Sequence, residues 1–379
     1  MFQLVKNIEN HIRHYPTPIN LNYFWSIGSA LGFFLALQLV TGLFLAIHYI
    51  PHADYAFYSV ETHIMREVNG GWLVRYIHSN GASIIFILLY SHIARGLYFQ
   101  SYKTPREAVW MSGVTSFILI AGAAFLGYVL PWGQMSYWGA TVITNIITSV
   151  PVIGESLVIW IWGGFSVTSA TLTRFFALHF ILPFAIAGLA LIHLLLLHRV
   201  GSTNPTGLQL GSTDMTRFYP YFGLKDLFAF LLVLIFFITV VGYRPNMFSH
   251  PDNYIAANPI VTPAHIVPEW YFLPFYAILR AIPSKLGGAV AMAGAMVLLY
   301  LVPFLDRSKV SSPEFKFGWI VMTLVFILDV LLLGWIGGKA PTPFLVLVDQ
   351  IATFYYFAHF LVFLPCYSWF ESRVFNTLS

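Results

Sequence analysis

Eight stretches of the chain are apolar over the roughly 20 residues that a helix needs to cross a bilayer: 24–50, 73–99, 110–131, 174–200, 225–243, 286–306, 318–337 and 344–366. Breakers stand between most of them, including Pro51, Pro105, Asn204-Pro205, Pro245, Pro313 and Pro341, where a lost amide proton or a restricted backbone ends a helix. The pattern predicts an all-α membrane protein with eight transmembrane helices. Two connections are long, 132–173 and 244–285, and each holds an apolar, helical-looking piece, ATVITNIITSVPVIG and EWYFLPFYAILRAI. Segments of this kind beside a membrane tend to build a site rather than a mere link.

Composition supports a lipid solvent. Only 9% of the 379 residues are Asp, Glu, Lys or Arg, whereas a soluble domain is about one quarter charged. Aromatics reach 18%, which suits a bilayer with Tyr and Trp at its interfaces. The net charge of +4 comes from dispersed residues, with no basic run to track a phosphate backbone, so nucleic-acid binding is excluded. One cysteine, Cys366, rules out disulfides and thiolate-held clusters as themes and leaves His or carboxylates to hold a cofactor. The N-terminal segment lacks the apolar core of a signal peptide and the Arg- and Ser-rich character of a transit peptide. That fits synthesis in the compartment whose membrane the chain enters. An even number of spans puts both termini on one side, and twelve Lys and Arg, from Lys6 and Arg13 through Lys103 to Arg373, lie on that side against seven opposite. The termini are therefore expected to face inward.

The second span reads RYIHSNGASIIFILLYSHIARG and carries His78 and His92; the fourth reads RFFALHFILPFAIAGLALIHLLLLH and carries His179 and His193. Each pair is 14 residues apart, which returns a helix to within about 40° of the same face after a rise of about 21 Å. Both spans run from outside to inside, so His78 and His179 share one depth near the outer surface, and His92 and His193 another near the inner. A lone intramembrane His is commonly a hydrogen-bonded core residue or part of a proton path. Equal spacing on two parallel spans instead suits two stacked bis-imidazole centres, because a proton relay needs closer steps. Zinc would be short of ligands, while a haem fills four positions itself and needs two more. With both axial positions taken, the iron's task is electron transfer. Gly28 and Gly42 in the first span, and Gly113 and Gly127 in the third, repeat with the same period of 14. They are read as places where a flat macrocycle meets backbone, against ordinary small-residue packing. Arg75, Arg95 and Ser101 stand near the ends of the second span, placed for haem propionates or for simple snorkelling. The histidine pattern, assigned to the first four spans only, divides the chain into a dihaem four-helix bundle with its long loop, 1–210, and a C-terminal membrane part, 211–379.

At these residues the chain resembles a family, cytochrome b of the respiratory cytochrome bc complex, over essentially its whole length. The resemblance is carried by the histidine pairs, GYVLPWGQMSYWGATVITN at 127–145, TLTRFFALHFILPF at 171–184, GSTNPTG at 201–207, HPDNYIAANP at 250–259 and, most specifically, Pro268-Glu269-Trp270-Tyr271. It implies two non-covalent b haems, a low-potential one on His78 and His179 and a high-potential one on His92 and His193. It implies two quinone sites as well. In the outer one quinol is oxidised, with Glu269 accepting a proton and Tyr271, Tyr128 and Gly139 shaping the pocket. In the inner one quinone is reduced beside His198, Ser202, Lys225 and Asp226. The implied partners are a Rieske-type iron–sulfur protein, a c-type cytochrome and other subunits of complex III, in a homodimeric complex of the mitochondrial inner membrane, with a bacterial plasma membrane as the alternative.

The residues speak to some of this on their own. Burial in an aromatic loop would raise the Glu269 pKa toward that of a useful proton acceptor; a solvated ion pair with Arg280 or Lys285 is the plainer alternative. His198, five residues past His193, is rotated by about 140° and cannot share its axial stripe. Asp226 opens the fifth span, where a helix N-terminus favours a carboxylate in any case. Asp329 sits inside the seventh span without an assigned role, and His48, His52, His63, His265 and His359 read as structural or interfacial. A proton-coupled secondary transporter is the competing function, but it predicts an inverted internal repeat that the sequence does not show.

Overall fold

The structure is a computed structural model and describes residues 13–378; Lys6 lies outside the described residues. Among the described residues, eight helices are long and apolar enough to cross a membrane: Tyr23–His48, Gly71–Tyr98, Glu107–Val129, Ser169–Val200, Phe218–Tyr243, Lys285–Leu305, Trp319–Gly337 and Pro343–Val374. Their ends have local causes. Gly70 and Gly318, at φ of 74° and 75°, start the second and seventh spans from the left-handed region, which glycine enters without a steric cost. Thr168 and Thr171 form a reciprocal capping box at the start of the fourth, and Thr342 caps the eighth ahead of Pro343.

The eighth span differs most from expectation, running past residue 366 to Val374. Ser368 and Glu371, beyond the expected end of the span, are both buried. This span also holds His359, buried and stacked on Phe326 with ring centroids 4.3 Å apart, so intramembrane histidine is not confined to the first four spans.

The first span packs along the second, and the third along the fourth. The second and fourth scarcely approach each other, so the two pairs enclose a slot. The fifth span lies against the first and second. In lipid, apolar burial alone does not drive helices together, and packing with interhelical hydrogen bonds does, at about 0.6 kcal/mol each. Such bonds tie the bundle to the later spans: Trp110 Nε1 donates to the Leu299 carbonyl at 2.7 Å, Trp319 Nε1 to Tyr98 at 2.9 Å, and Asn80 Nδ2 to Pro245 at 2.9 Å.

The two long connections are sewn to each other. The first forms helices Gln134–Asn145 and Gly154–Trp162, beginning earlier than the expected piece and adding a second helix. The second forms Leu273–Ala281, gripped by the sixth, seventh and eighth spans. The Asn253 carboxamide oxygen accepts from the Ser136 amide at 2.9 Å, and the Gln134 carboxamide bonds Val261 and Asn258. At the opposite end, Pro16–Pro18 pairs antiparallel with Met215–Arg217, tying the N-terminal arm to the entry of the fifth span.

Candidate functional site

Across the slot, the rings of His78 and His179 face each other with centroids 6.3 Å apart, and those of His92 and His193 with centroids 6.4 Å apart. A metal–imidazole bond of about 2 Å, with roughly 1.1 Å from ring nitrogen to ring centre, places two imidazoles on opposite sides of one metal about 6 Å apart. Both pairs therefore match two axial ligands of a single iron. Among the described residues no group of three or more His, Cys, Asp and Glu is arranged to hold a metal, so each pair suits a centre that brings its other ligands with it. The separation of the second and fourth spans leaves room for a flat group between the rings.

Each ring also has a polar neighbour at its Nδ1. Thr41 Oγ1 lies 2.9 Å from Nδ1 of His78, the Ala123 carbonyl 2.8 Å from that of His179, Ser112 Oγ 2.9 Å from that of His193, and an Arg95 nitrogen 3.2 Å from that of His92. An acceptor at Nδ1, as the Thr41 and Ser112 hydroxyls and the Ala123 carbonyl are, holds the Nδ1–H tautomer and leaves Nε2 to face a metal; the Arg95 guanidinium only donates and does not fix that tautomer at His92. The four glycines serve the rings as well. A Cβ added at Gly42 would stand 3.1 Å from His78, at Gly113 3.2 Å from His193, and at Gly28 3.4 Å from His92, while at Gly127 it would overlap His179. Each glycine thus sits on the neighbouring helix against an imidazole ring, where a side chain would crowd the histidine. Thr41 and Ser112 were not foreseen, although Thr41-Gly42 and Ser112-Gly113 repeat as hydroxyl–glycine pairs. Ala123 acts through its carbonyl, which no sequence pattern marks.

The outer end opens into a largely apolar cavity of about 270 Å³ that takes in His78, His179, Gly42 and Gly127. It continues to Arg75, Tyr128, Glu269 and Tyr271. Burial pushes the Glu269 carboxyl up to about 7, with the Tyr128 hydroxyl and the Arg75 guanidinium acting against the rise. The plainer partners point elsewhere: Arg280 donates to the Ile336 and Lys339 carbonyls, and Lys285 to Thr148. Tyr271 is buried and lies flat on Phe86, with centroids 3.9 Å apart and planes 2° from parallel, while its carbonyl accepts a bond from Tyr90. Burial first, and Glu269 second, hold the Tyr271 phenol above its usual range, so it stays a hydrogen donor. Gly139 does not line this cavity, and a Cβ there would meet nothing within 4 Å. Phe86 and Asn253 are cavity residues that sequence reasoning missed.

At the inner end the expected residues are close to the N-terminal arm. His198 stacks on Tyr15 with centroids 4.4 Å apart. Lys225 Nζ donates to the Leu21 carbonyl at 2.5 Å and sits over the Tyr23 ring. Asp226, in the first turn of the fifth span, faces the Ser26 and Ser29 hydroxyls. Ser202 is held from the other side, its carbonyl accepting from Arg106 at 3.1 Å. Arg95 donates to Ser101 at 3.4 Å and lies over the Trp25 ring.

Comparison with known proteins bears on this geometry. Residues 12–201 match the family model described as "Cytochrome b/b6/petB", and residues 256–357 match "Cytochrome b(C-terminal)/b6/petD". The chain is 54% identical over 356 residues to cytochrome b of Rickettsia prowazekii (strain Madrid E), covering 94% of this chain and 89% of that one. It is 57% identical over 330 residues to cytochrome b of Phytophthora megasperma, covering 87% and 86%. A solved structure described as "Hyperthermophilic respiratory Complex III" superposes with a TM-score of 0.92 at 35% identity, over 97% of each chain.

Proposed function

The chain belongs to the cytochrome b family, of the complex III type, and on that premise we propose that it is the dihaem membrane subunit of quinol:cytochrome c oxidoreductase. The observation that carries the proposal is the pair of facing histidine pairs, each at the separation of two imidazoles on one iron. When bound, two b haems supply one-electron carriage between the two faces of the membrane. His78 with His179, and His92 with His193, hold them; Thr41, Ala123 and Ser112 orient three of the ligating rings.

At the outer cavity the chain handles a quinol. Glu269 takes a proton from a quinol hydroxyl, a task that suits a carboxyl poised near neutral pH. Tyr271 and Tyr128 wall the pocket and exclude water. At the inner end His198, Ser202, Lys225 and Asp226 meet the carbonyls of a quinone and supply protons from the inner phase. Protons leave outside and enter inside, so turnover moves charge across the membrane. A Rieske-type iron–sulfur protein and a c-type cytochrome take the other electron, because this chain has one cysteine and no ligands for either centre. The Lys and Arg asymmetry supports termini on the inner side, in a homodimeric complex of the mitochondrial inner membrane.

A reduced-minus-oxidised optical spectrum with a redox titration tests the reading. Two b-type haems per chain with separate midpoints are expected. No haem would sink it, and a single haem would sink the pairing by depth.

A further inference from the structure

Three buried charged side chains, Asp306, Lys316 and Glu371, and a partly buried fourth, Lys103, meet at the end of the bundle that holds His92 and His193. Lys103 Nζ stands 3.1 Å from Asp306 Oδ2, and Lys316 Nζ stands 3.8 Å from Asp306 and 3.4 Å from Glu371. The Tyr102 hydroxyl donates to Asp306 at 2.8 Å, and Lys103 also donates to the Ser308 and Val310 carbonyls at 2.7 and 2.8 Å. Asp306 is the hub, 5% exposed, on the connection between the sixth and seventh spans. Tyr102 and Lys103 belong to the short connection between the second and third. Lys316 and Glu371 are ion-paired without a hydrogen bond, whereas Asp306 is both paired with Lys103 and hydrogen-bonded by Tyr102, so breaking that contact would leave a buried charge unpaired, and it is this contact that holds the short connection in place.

The same short connection holds the inner site from its other side. Arg106 Nε donates to the Gly201 carbonyl at 2.8 Å and its terminal nitrogen to Ser202 at 3.1 Å. Ser101 Oγ lies 2.9 Å from Thr203 Oγ1 and accepts from Arg95, which in turn contacts His92. The segment 101–106 is therefore a strut with Asp306 at one end and Ser202 and Arg95 at the other.

We infer that Asp306 is a positioning residue of the inner quinone site, fixing residues 201–203 through Tyr102, Lys103 and Arg106. This rests on the proposed function for the identity of the site, but the strut itself can be read without turnover. It gives the C-terminal part, which supplies none of the paired histidines, a share in shaping the inner end.

The test is hydrogen–deuterium exchange on the purified complex carrying Asp306→Asn. Loss of hydrogen bonds to a charged group should speed exchange at residues 201–204 roughly tenfold, with helix interiors around His92 and His193 unchanged. The apparent KM for quinone at the inner end should rise by a similar factor, while haem content and quinol oxidation stay at the wild-type level, and Asp306→Glu should restore both. Tyr102→Phe, which removes one hydroxyl, provides a milder variant if Asp306→Asn does not assemble, with the same pattern at lower amplitude. Faster exchange confined to 306–316 and the end of the eighth span, with 201–204 at wild-type rates, would overturn the inference. A wild-type complex that fails to reduce quinone at the inner end would count against the functional reading alone, since the exchange pattern still decides the strut.

Discussion

At the outer end of the slot the two histidines lean on neutral groups, the Thr41 hydroxyl and the Ala123 carbonyl, whereas at the inner end His193 leans on the Ser112 hydroxyl and His92 on a guanidinium. The outer end has its own cation, Arg75, which acts on two carboxyls, Glu61 and Glu269. Arg95 makes no ion pair with a carboxylate among the described residues. One end shares its cation between two carboxyls and opens to a cavity with a proton acceptor; the other holds a guanidinium beside the His92 ring with no carboxylate partner among the described residues. A lone cation favours the less positive, reduced state of a nearby iron. The high-potential inner haem and low-potential outer haem that the family resemblance implies stay part of the proposal, and a cation beside His92 would act in that direction.

The largest test of that comparison removes one end entirely. His92→Leu should abolish the inner haem and leave the outer one in place, so that quinol reduces only one b haem per chain. Redox difference spectra on membranes carrying the variant would show it. Loss of the outer haem with the inner retained would contradict the assignment of histidines to ends. Next in size is Glu269→Gln. A positioned general base contributes about a hundredfold or more, so quinol oxidation should slow by roughly that factor at unchanged haem content. Only the deprotonated carboxylate accepts a proton. With the Glu269 carboxyl at about 7, the wild-type rate should fall as pH drops from 8 to 6, while Glu269→Gln should lose that slope. Stopped-flow reduction of the outer haem across this range decides it, and a slope that survives in the variant would reject Glu269 as the acceptor.

The contrast between the ends also marks what could be read from sequence. Span number and the two histidine depths were legible because both follow from helix geometry, a length of about 20 residues and a period of 14. The facing of second and fourth spans agrees with that arithmetic, with centroids near 6 Å in both pairs. Contacts between helices were less legible. The glycine period was visible, but that glycine backs an imidazole is a fact of the neighbouring helix. Ala123 contributes a carbonyl that any residue would carry. That Glu371 and Lys316 are buried against opposite charges from other segments is a tertiary fact as well. Gly139 shares a motif with the pocket residues, yet the helix Gln134–Asn145 does not turn it to the cavity.

The smallest expected effect sharpens the comparison most, because it changes charge without removing a ligand. One unit charge within about 10 Å, at an effective dielectric of about 20, is worth about 1.7 kcal/mol, or roughly 70 mV for a one-electron couple. Arg95→Leu should therefore lower the inner haem potential by roughly 50–100 mV and leave the outer one within measurement scatter. Arg75→Leu should shift the outer potential by less, because the carboxyls it serves give up charge as the cation leaves: loss of the guanidinium removes a term that holds Glu269 and Glu61 down, so each gains protons. Potentiometric titration of both variants, resolved by haem, separates the cases. Equal shifts at the two ends would mean that local pairing does not set the difference, and the ordering would then have to come from solvent access to the two haems instead.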